Sequence, residues 1–133
     1  MNFDELFKLA WQTREKAYAP YSQFRVGAAV LTRDGAVFCG CNVENLSFGL
    51  TICAERAAIF AAVAAGATEL SAIAIVSESA TPITPCGACR QVMAEFIPEG
   101  SDLEIRSAAP DGAVFASTLH ALLPRAKAGI LGT

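Results

Sequence analysis

The stretch Val26-Gly27-Ala28-Ala29-Val30-Leu31-Thr32-Arg33-Asp34-Gly35-Ala36-Val37-Phe38-Cys39-Gly40-Cys41-Asn42-Val43 reads as two apolar strands, Val26 to Thr32 and Val37 to Val43, joined by a turn at Asp34-Gly35. Asp-Gly is a strong hairpin signal because the favoured two-residue turns need positive φ, which these residues tolerate. A hairpin founds a sheet, and the flanking segments supply what covers it. Upstream, Phe3, Leu6, Phe7, Ala10, Trp11 and Ala17 recur near helical spacing. With Asn2 and Glu5 as a capping pair, they predict an amphipathic helix over residues 3 to 18, broken by Ala19-Pro20-Tyr21-Ser22. Downstream, the alanine-rich stretch from Cys53 to Ala65 has high helix propensity and a stop at Gly66. Leu70 to Val76 reads as a short buried strand. Thr84-Pro85 opens a further helix, with proline expected in the first helical position, running to Phe96 before Pro98-Glu99-Gly100. Leu103 to Arg106 and Val114 to Ala116 complete the strands around Asp111-Gly112, and Leu119 to Leu123 forms a last helical turn. The order α-β-β-α-β-α-β-β predicts an α/β fold, helices packed on a mixed five-stranded sheet.

The length of 133 residues suits one domain spanning 1–133, and no repeat, low-complexity tract or linker divides it. Hydrophobic residues make up 53% of the chain, yet the longest unbroken apolar run, Ala57 to Ala65, is too short to span a bilayer. Asn2, Asp4 and Glu5 stand where a secretory signal would carry basic residues, so a cytoplasmic protein without a membrane partner is expected. Five cysteines, an odd number, suit reduced thiols better than a disulfide framework. The net charge of −3, with lysines and arginines scattered, lacks the basic stripe of a nucleic-acid binder.

The chemistry sits in two short pieces, Cys53-Ala54-Glu55 and Pro85-Cys86-Gly87-Ala88-Cys89. Three cysteines are one ligand short of a closed zinc tetrahedron, which leaves a position for water. Glu55, two residues from one ligand, is placed to relay that water's proton. Cys86 and Cys89, three apart at a helix start, present both sulfurs on one face. A helix N-terminus also favours the thiolate that a metal needs. Three thiolates and Zn²⁺ sum to −1, an unhelpful charge for acidifying water, and the helix ends and Arg56 can offset it. Residues i and i+2 of a helix point about 200° apart, so Cys53 and Glu55 converge only if Cys53 lies at the helix edge. Two blander readings compete. A redox Cys-x-x-Cys needs neither Cys53 nor Glu55. A structural zinc scaffold needs a fourth thiolate, which Cys39 or Cys41 could supply, although alternate cysteines in an apolar strand also simply pack as small hydrophobes.

Cys53-Ala-Glu-Arg56 and Pro85-Cys-Gly-Ala-Cys-Arg-Gln91, with Tyr18-Ala-Pro-Tyr-Ser22, Phe24-Arg-Val-Gly-Ala28 and Asn42-Val-Glu-Asn45, resemble the small tetrameric cytidine deaminases. This is the three-cysteine form of the signature that base-modifying zinc deaminases share, with its non-ligand glutamate. The likeness is dense over residues 17 to 97. It implies a three-layer α/β/α fold, a homotetramer with active sites shared between subunits, and a place in pyrimidine salvage. It further implies one Zn²⁺ per chain held by Cys53, Cys86 and Cys89, with Glu55 shuttling protons. Phe24 would pack on the base of the nucleoside substrate, Asn42 and Glu44 would hold ribose hydroxyls, the amide of Ala54 would face the base carbonyl, and Arg56 would hydrogen-bond the thiolates. Read without the family, Phe24 is core and Asn42 and Glu44 finish a strand.

Three positions depart from the family pattern. Leu46 stands where alanine is usual and Phe48 where tyrosine is usual, adding bulk and removing a hydroxyl; Lys127 stands where an aromatic commonly reaches over a neighbour's substrate. These changes leave the metal chemistry alone and bear on substrate identity. A deaminase of another aminopyrimidine nucleoside, such as the blasticidin type, is therefore the rival enzyme. His120, the single histidine, reads as a surface residue.

Overall fold

The computed structural model describes residues 1–127. The chain runs α1 (Phe3–Arg14), β1 (Val26–Thr32), β2 (Val37–Cys41), α2 (Ala54–Ala64), β3 (Leu70–Ser77), α3 (Gly87–Glu95), β4 (Glu104–Ala108), β5 (Val114–Thr118) and α4 (Leu119–Leu122), with a 3₁₀ turn at Phe48–Leu50 before α2. The strands form one five-stranded sheet in the order β2-β1-β3-β4-β5. β3 and β4 pair in parallel and the other neighbours antiparallel, so the sheet is mixed as expected. A parallel pair needs a crossover, and the segment carrying α3 provides it.

The two faces of the sheet are built for different neighbours. Val26, Ala28 and Val30 of β1 and Ile73 and Ile75 of β3 enter the large cluster formed with α2 and α3. Ala29, Ala72, Ala74 and Val76 point the other way, toward Leu6 and Ala10 of α1. This period-two alternation makes three layers with helices on both faces. The α1 face is lined mostly by alanine, which lets the helix approach closely: a Cβ on Gly27 would stand 2.1 Å from the Ala10 carbonyl oxygen. Gly40 does the same for α2 on the opposite face, where a Cβ would fall 2.3 Å from the Ala58 nitrogen. Burial of the branched chains on the α2 side, Ile59, Ile73, Ile75 and Ile105, stabilises the fold by roughly 1.5–3 kcal/mol each.

Several boundaries differ from the sequence reading, each for a local reason. The Asn2–Glu5 capping box forms as expected. The helix it opens ends at Arg14 instead of residue 18, because the Lys16 and Ala17 amides turn back to the Thr13 and Arg14 carbonyls. β2 stops at Cys41. Beyond it, Val43 leaves β1 and makes isolated bridges with Tyr18 and Ile52. Pro85 is not the first helical residue: α3 begins at Gly87, and Cys86 is the extended N-cap whose sulfur accepts from the Cys89 amide. A side chain able to accept the orphan amide takes the cap, and proline, with none, is left outside. No helix among the described residues is long and apolar enough to cross a membrane.

Candidate metal centre

Two helix N-termini meet at one point beside the sheet. Cys53 is the N-cap of α2, with extended φ and ψ of −73° and 156°. It thus lies at the helix edge, the condition under which it and Glu55 share one side. Cys86 is the N-cap of α3, and Cys89 lies in the first turn of that helix. The Sγ atoms of Cys53, Cys86 and Cys89 all fall within 4.8 Å of one another. Cys53 and Cys86 are 3.9 Å apart and Cys86 and Cys89 3.4 Å. Thiolates at the usual zinc–sulfur distance in a tetrahedron stand about 3.8 Å apart. The donor set and its spacing therefore fit a zinc ion with three protein ligands.

The surroundings favour anionic sulfur. The Arg56 Nη2 donates to Cys53 Sγ at 3.4 Å, and both helix N-termini direct partial positive charge at the cluster. Cys53 is held down to about 5 by its hydrogen bond with Cys89, against its burial, and by Arg56. Cys89 is pushed up by the same bond and by its own burial. The neighbouring sulfurs in turn raise the Arg56 guanidinium, which stays charged and offsets the third thiolate.

Glu55 is the second component. It is 4% exposed, in the first turn of α2. Burial pushes its carboxyl up to about 7, with the charge on Cys53 adding to the rise. A buried carboxyl poised near neutrality, next to a metal site with an open position, can both accept and return a proton. Ala54, between the ligand and the carboxyl, is fully buried.

The other predicted residues gather along one rim. Val43 and Ile52 exchange backbone hydrogen bonds at 2.9 and 3.0 Å, which sews the segment bearing Asn42 and Glu44 to the segment leading into Cys53. Asn42 is buried and uses its amide as a clip: Nδ2 donates to the Phe24 carbonyl at 2.8 Å and Oδ1 accepts from the Val26 amide at 2.9 Å. Glu44 accepts from the Tyr21 and Ser22 amides, both at 3.0 Å, and from the Ser22 hydroxyl. The Ser22 bonds hold its carboxyl below the usual range. Phe24 is exposed beside them. A cleft of about 320 Å³ opens here between Tyr21, Ser22, Glu44, Phe48 and Thr51. A larger cavity, about 450 Å³, lies between the end of α3 and the segment after α4 and includes none of these residues apart from Lys127.

Cys39 and Cys41 do not join the centre. Gly40 between them faces α2, so they face the opposite side of the sheet, where Cys39 packs against the α1 cluster. The thiolate needed to close a structural tetrahedron is on the wrong face, and the only cysteine cluster among the described residues has three members. His120 is exposed and pairs with Asp102 at 3.3 Å.

Comparison with known proteins agrees with this chemistry. Residues 1–100 match the family described as the cytidine and deoxycytidylate deaminase zinc-binding region. The chain belongs to this zinc-binding deaminase family. A cytidine deaminase of Halalkalibacterium halodurans is 48% identical over 126 residues, covering 95% of this chain and 94% of that protein. The crystal structure of cytidine deaminase from Burkholderia pseudomallei superposes with a TM-score of 0.87 at 52% identity, covering 93% of this chain and 98% of that one. Cytidine deaminase from Mycobacterium tuberculosis superposes with a TM-score of 0.79 at 44% identity, over 93% and 95% of the two chains. The deaminase fold and the zinc cofactor expected from the motifs are both present in the family.

Two features of this deaminase escaped the sequence reading. Ser22 is the hydroxyl partner of Glu44, and Arg90, four residues after Cys86, folds back over the ligand loop. The i, i+4 spacing of Cys86 and Arg90 is the signal that could have pointed to the second.

Proposed function

We propose that this chain is a single-domain hydrolytic deaminase that converts cytidine and deoxycytidine to uridine and deoxyuridine, releasing ammonia. The observation that carries the proposal is a three-thiol centre with no fourth protein ligand among the described residues and a buried carboxyl raised to about 7 beside it. Cys53, Cys86 and Cys89 are the zinc ligands. When bound, zinc acidifies water and supplies the nucleophile at neutral pH. Glu55 takes the proton released as the water oxygen attacks C4 of the pyrimidine and delivers it to N3. It then takes the second proton, from the hydroxyl now on C4, and passes it to the exocyclic amine, so that the C4–N bond breaks, ammonia leaves and the carbonyl forms. Arg56 keeps the ligand charge balanced.

Binding falls to the rim. Phe24 packs on the base, the Ala54 amide meets the base carbonyl, and Asn42 and Glu44 meet ribose hydroxyls. An amide and a carboxylate can together accept from and donate to a hydroxyl. Both are already locked by the 22–26 backbone and Ser22, so they are rigid before substrate arrives.

The active form is a homotetramer. Tyr18, Tyr21, Phe24, Val43, Leu46, Phe48 and Leu50 are exposed around the rim, with Leu46 and Phe48 each at 77%. A cluster of exposed apolar side chains of this kind calls for a partner, and a closed symmetric assembly of identical chains supplies one. The small nucleoside substrate, the absence of a basic stripe and a role in pyrimidine salvage fit a cytoplasmic enzyme.

The decisive test is ammonia release from cytidine, deoxycytidine, their 5-substituted forms, blasticidin S and free cytosine, with light scattering on the same sample. Turnover of cytidine by a tetramer is expected. Activity confined to blasticidin S would transfer the site to the rival nucleoside, and a stable monomer at micromolar concentration would remove the shared site.

A further inference from the structure

The three ligands are not equally secured. Cys89 is buried in the core and Cys53 is half-buried under Arg56, but Cys86 is exposed and, beyond the other two sulfurs, receives only the Cys89 amide, at 3.5 Å, among the described residues. It sits outside the first turn of α3, at the end of a loop without regular structure. Something must hold that loop, because a ligand on a free loop carries the entropy of the loop into every metal-binding event.

Arg90 is the residue in position to do so. Its Nε donates to the Pro85 carbonyl at 2.7 Å, immediately before Cys86. Nη2 donates to the Thr84 hydroxyl at 3.2 Å and Nη1 to the Leu122 carbonyl at 2.9 Å. Its own amide closes on the Cys86 carbonyl at 3.0 Å. One planar guanidinium therefore ties together the two residues ahead of the exposed ligand, the helix that bears the buried ligand, and the end of α4. Only an arginine presents donors in a fork of this breadth, whereas lysine offers one point of contact.

We propose that Arg90 is a positioning residue for the metal centre, fixing Cys86 through the Thr84 hydroxyl and the Pro85 carbonyl and coupling the C-terminal helical turn at Leu122 to that ligand. It touches neither metal nor substrate. The proposal rests on Cys86 being a zinc ligand.

The test uses the zinc-loaded full chain and compares Arg90→Gln, Arg90→Lys and Thr84→Val with wild type, with Arg33→Gln as a control. Among the described residues, Arg33 forms an ion pair only with Glu69, at the protein surface. Zinc transfer to a chromogenic chelator gives metal affinity and release rate, and the Co²⁺-substituted proteins report the thiolate-to-metal charge-transfer band. Removing an outer partner of a ligand typically costs roughly 10- to 100-fold in metal affinity, so Arg90→Gln should weaken zinc by that range and weaken the cobalt band. Arg90→Lys should fall between it and wild type, Thr84→Val should lose least, and Arg33→Gln should match wild type. If Arg90→Gln misfolds, the order of Arg90→Lys and Thr84→Val still decides the matter. Wild-type zinc retention and an unchanged cobalt band in the Arg90 and Thr84 variants, even with lowered unfolding midpoints, would make the clamp merely structural and overturn the proposal. If Cys86→Ala keeps stoichiometric zinc, the ligand assignment itself fails, a result distinct from the first.

Discussion

Gly40→Ala should damage the metal centre without touching any of its residues. Gly40 lies in β2 directly under α2, and an added Cβ would stand 2.3 Å from the Ala58 nitrogen, 2.7 Å from the Ala54 carbonyl oxygen and 2.8 Å from the Ala57 carbonyl carbon. All three are backbone atoms, so no side chain can swing aside. Reaching ordinary contact near 3.4 Å obliges α2 to retreat by about 1 Å. Overpacking of this kind costs about 1–3 kcal/mol. The N-terminus of the displaced helix carries Cys53, Ala54 and Glu55, and a displacement of about 1 Å at a catalytic group can cost on the order of 10²-fold in rate. Gly27→Ala provides the contrast: its Cβ would meet the Ala10 carbonyl at 2.1 Å, on the α1 face, across the sheet from Cys53, Cys86 and Cys89. Urea denaturation should show comparable losses for the two variants, whereas steady-state deamination and zinc content should fall only in Gly40→Ala. Equal activity losses in both, or full activity in Gly40→Ala, would refute the idea that α2 seating sets the geometry of the centre.

Other expectations concern single residues. Glu55→Gln should keep zinc and lose about 10²–10⁴-fold in turnover; near-normal activity would remove it from the chemistry. Because burial raises the folded-state carboxyl from 4.5 to about 7, its protonated form is the one that folding favours. The contribution is complete below the unfolded value and is lost as pH rises through 7. Denaturation of the metal-free protein between pH 5 and 8 should therefore show wild type losing up to about 3 kcal/mol relative to Glu55→Gln, and parallel curves would contradict the assigned burial cost. Cys89→Ala should lose metal and destabilise the chain, since zinc binding is coupled to folding; stoichiometric zinc in that variant would displace the ligand. Lys127→Phe should lower KM for cytidine several-fold with little change in kcat if the position overlies a neighbouring site, as aromatic stacking adds ~0.5–1.5 kcal/mol of uniform binding. No effect with any nucleoside would place Lys127 away from the site; residues 128–133, which complete that tail, lie outside the described ones.

What could be read from the chain alone was whatever a few neighbouring residues decide. Asp34-Gly35 specifies its hairpin through backbone dihedrals, Asn2 and Glu5 their capping box through two reciprocal hydrogen bonds, and Cys86 and Cys89 a shared face through helical periodicity. The clustering of Cys53, Cys86 and Cys89 was legible for a related reason: few residue types bind metal, and three cysteines with a glutamate two residues from one of them admit few readings. Tertiary structure decided what depends on which surfaces meet. Whether Cys39 or Cys41 could close the tetrahedron turned on the face of the sheet that each occupies, and that follows from Gly40 seating α2. Cys86, and not Pro85, sets where α3 begins, because its sulfur accepts the Cys89 amide and caps a helix that opens at Gly87. The parallel pairing of β3 with β4 and the reach of Arg90 to Leu122 join residues about thirty apart, and no local pattern encodes them. Such contacts form because burying both faces of one sheet leaves few arrangements in which every helix end and buried polar group finds a partner.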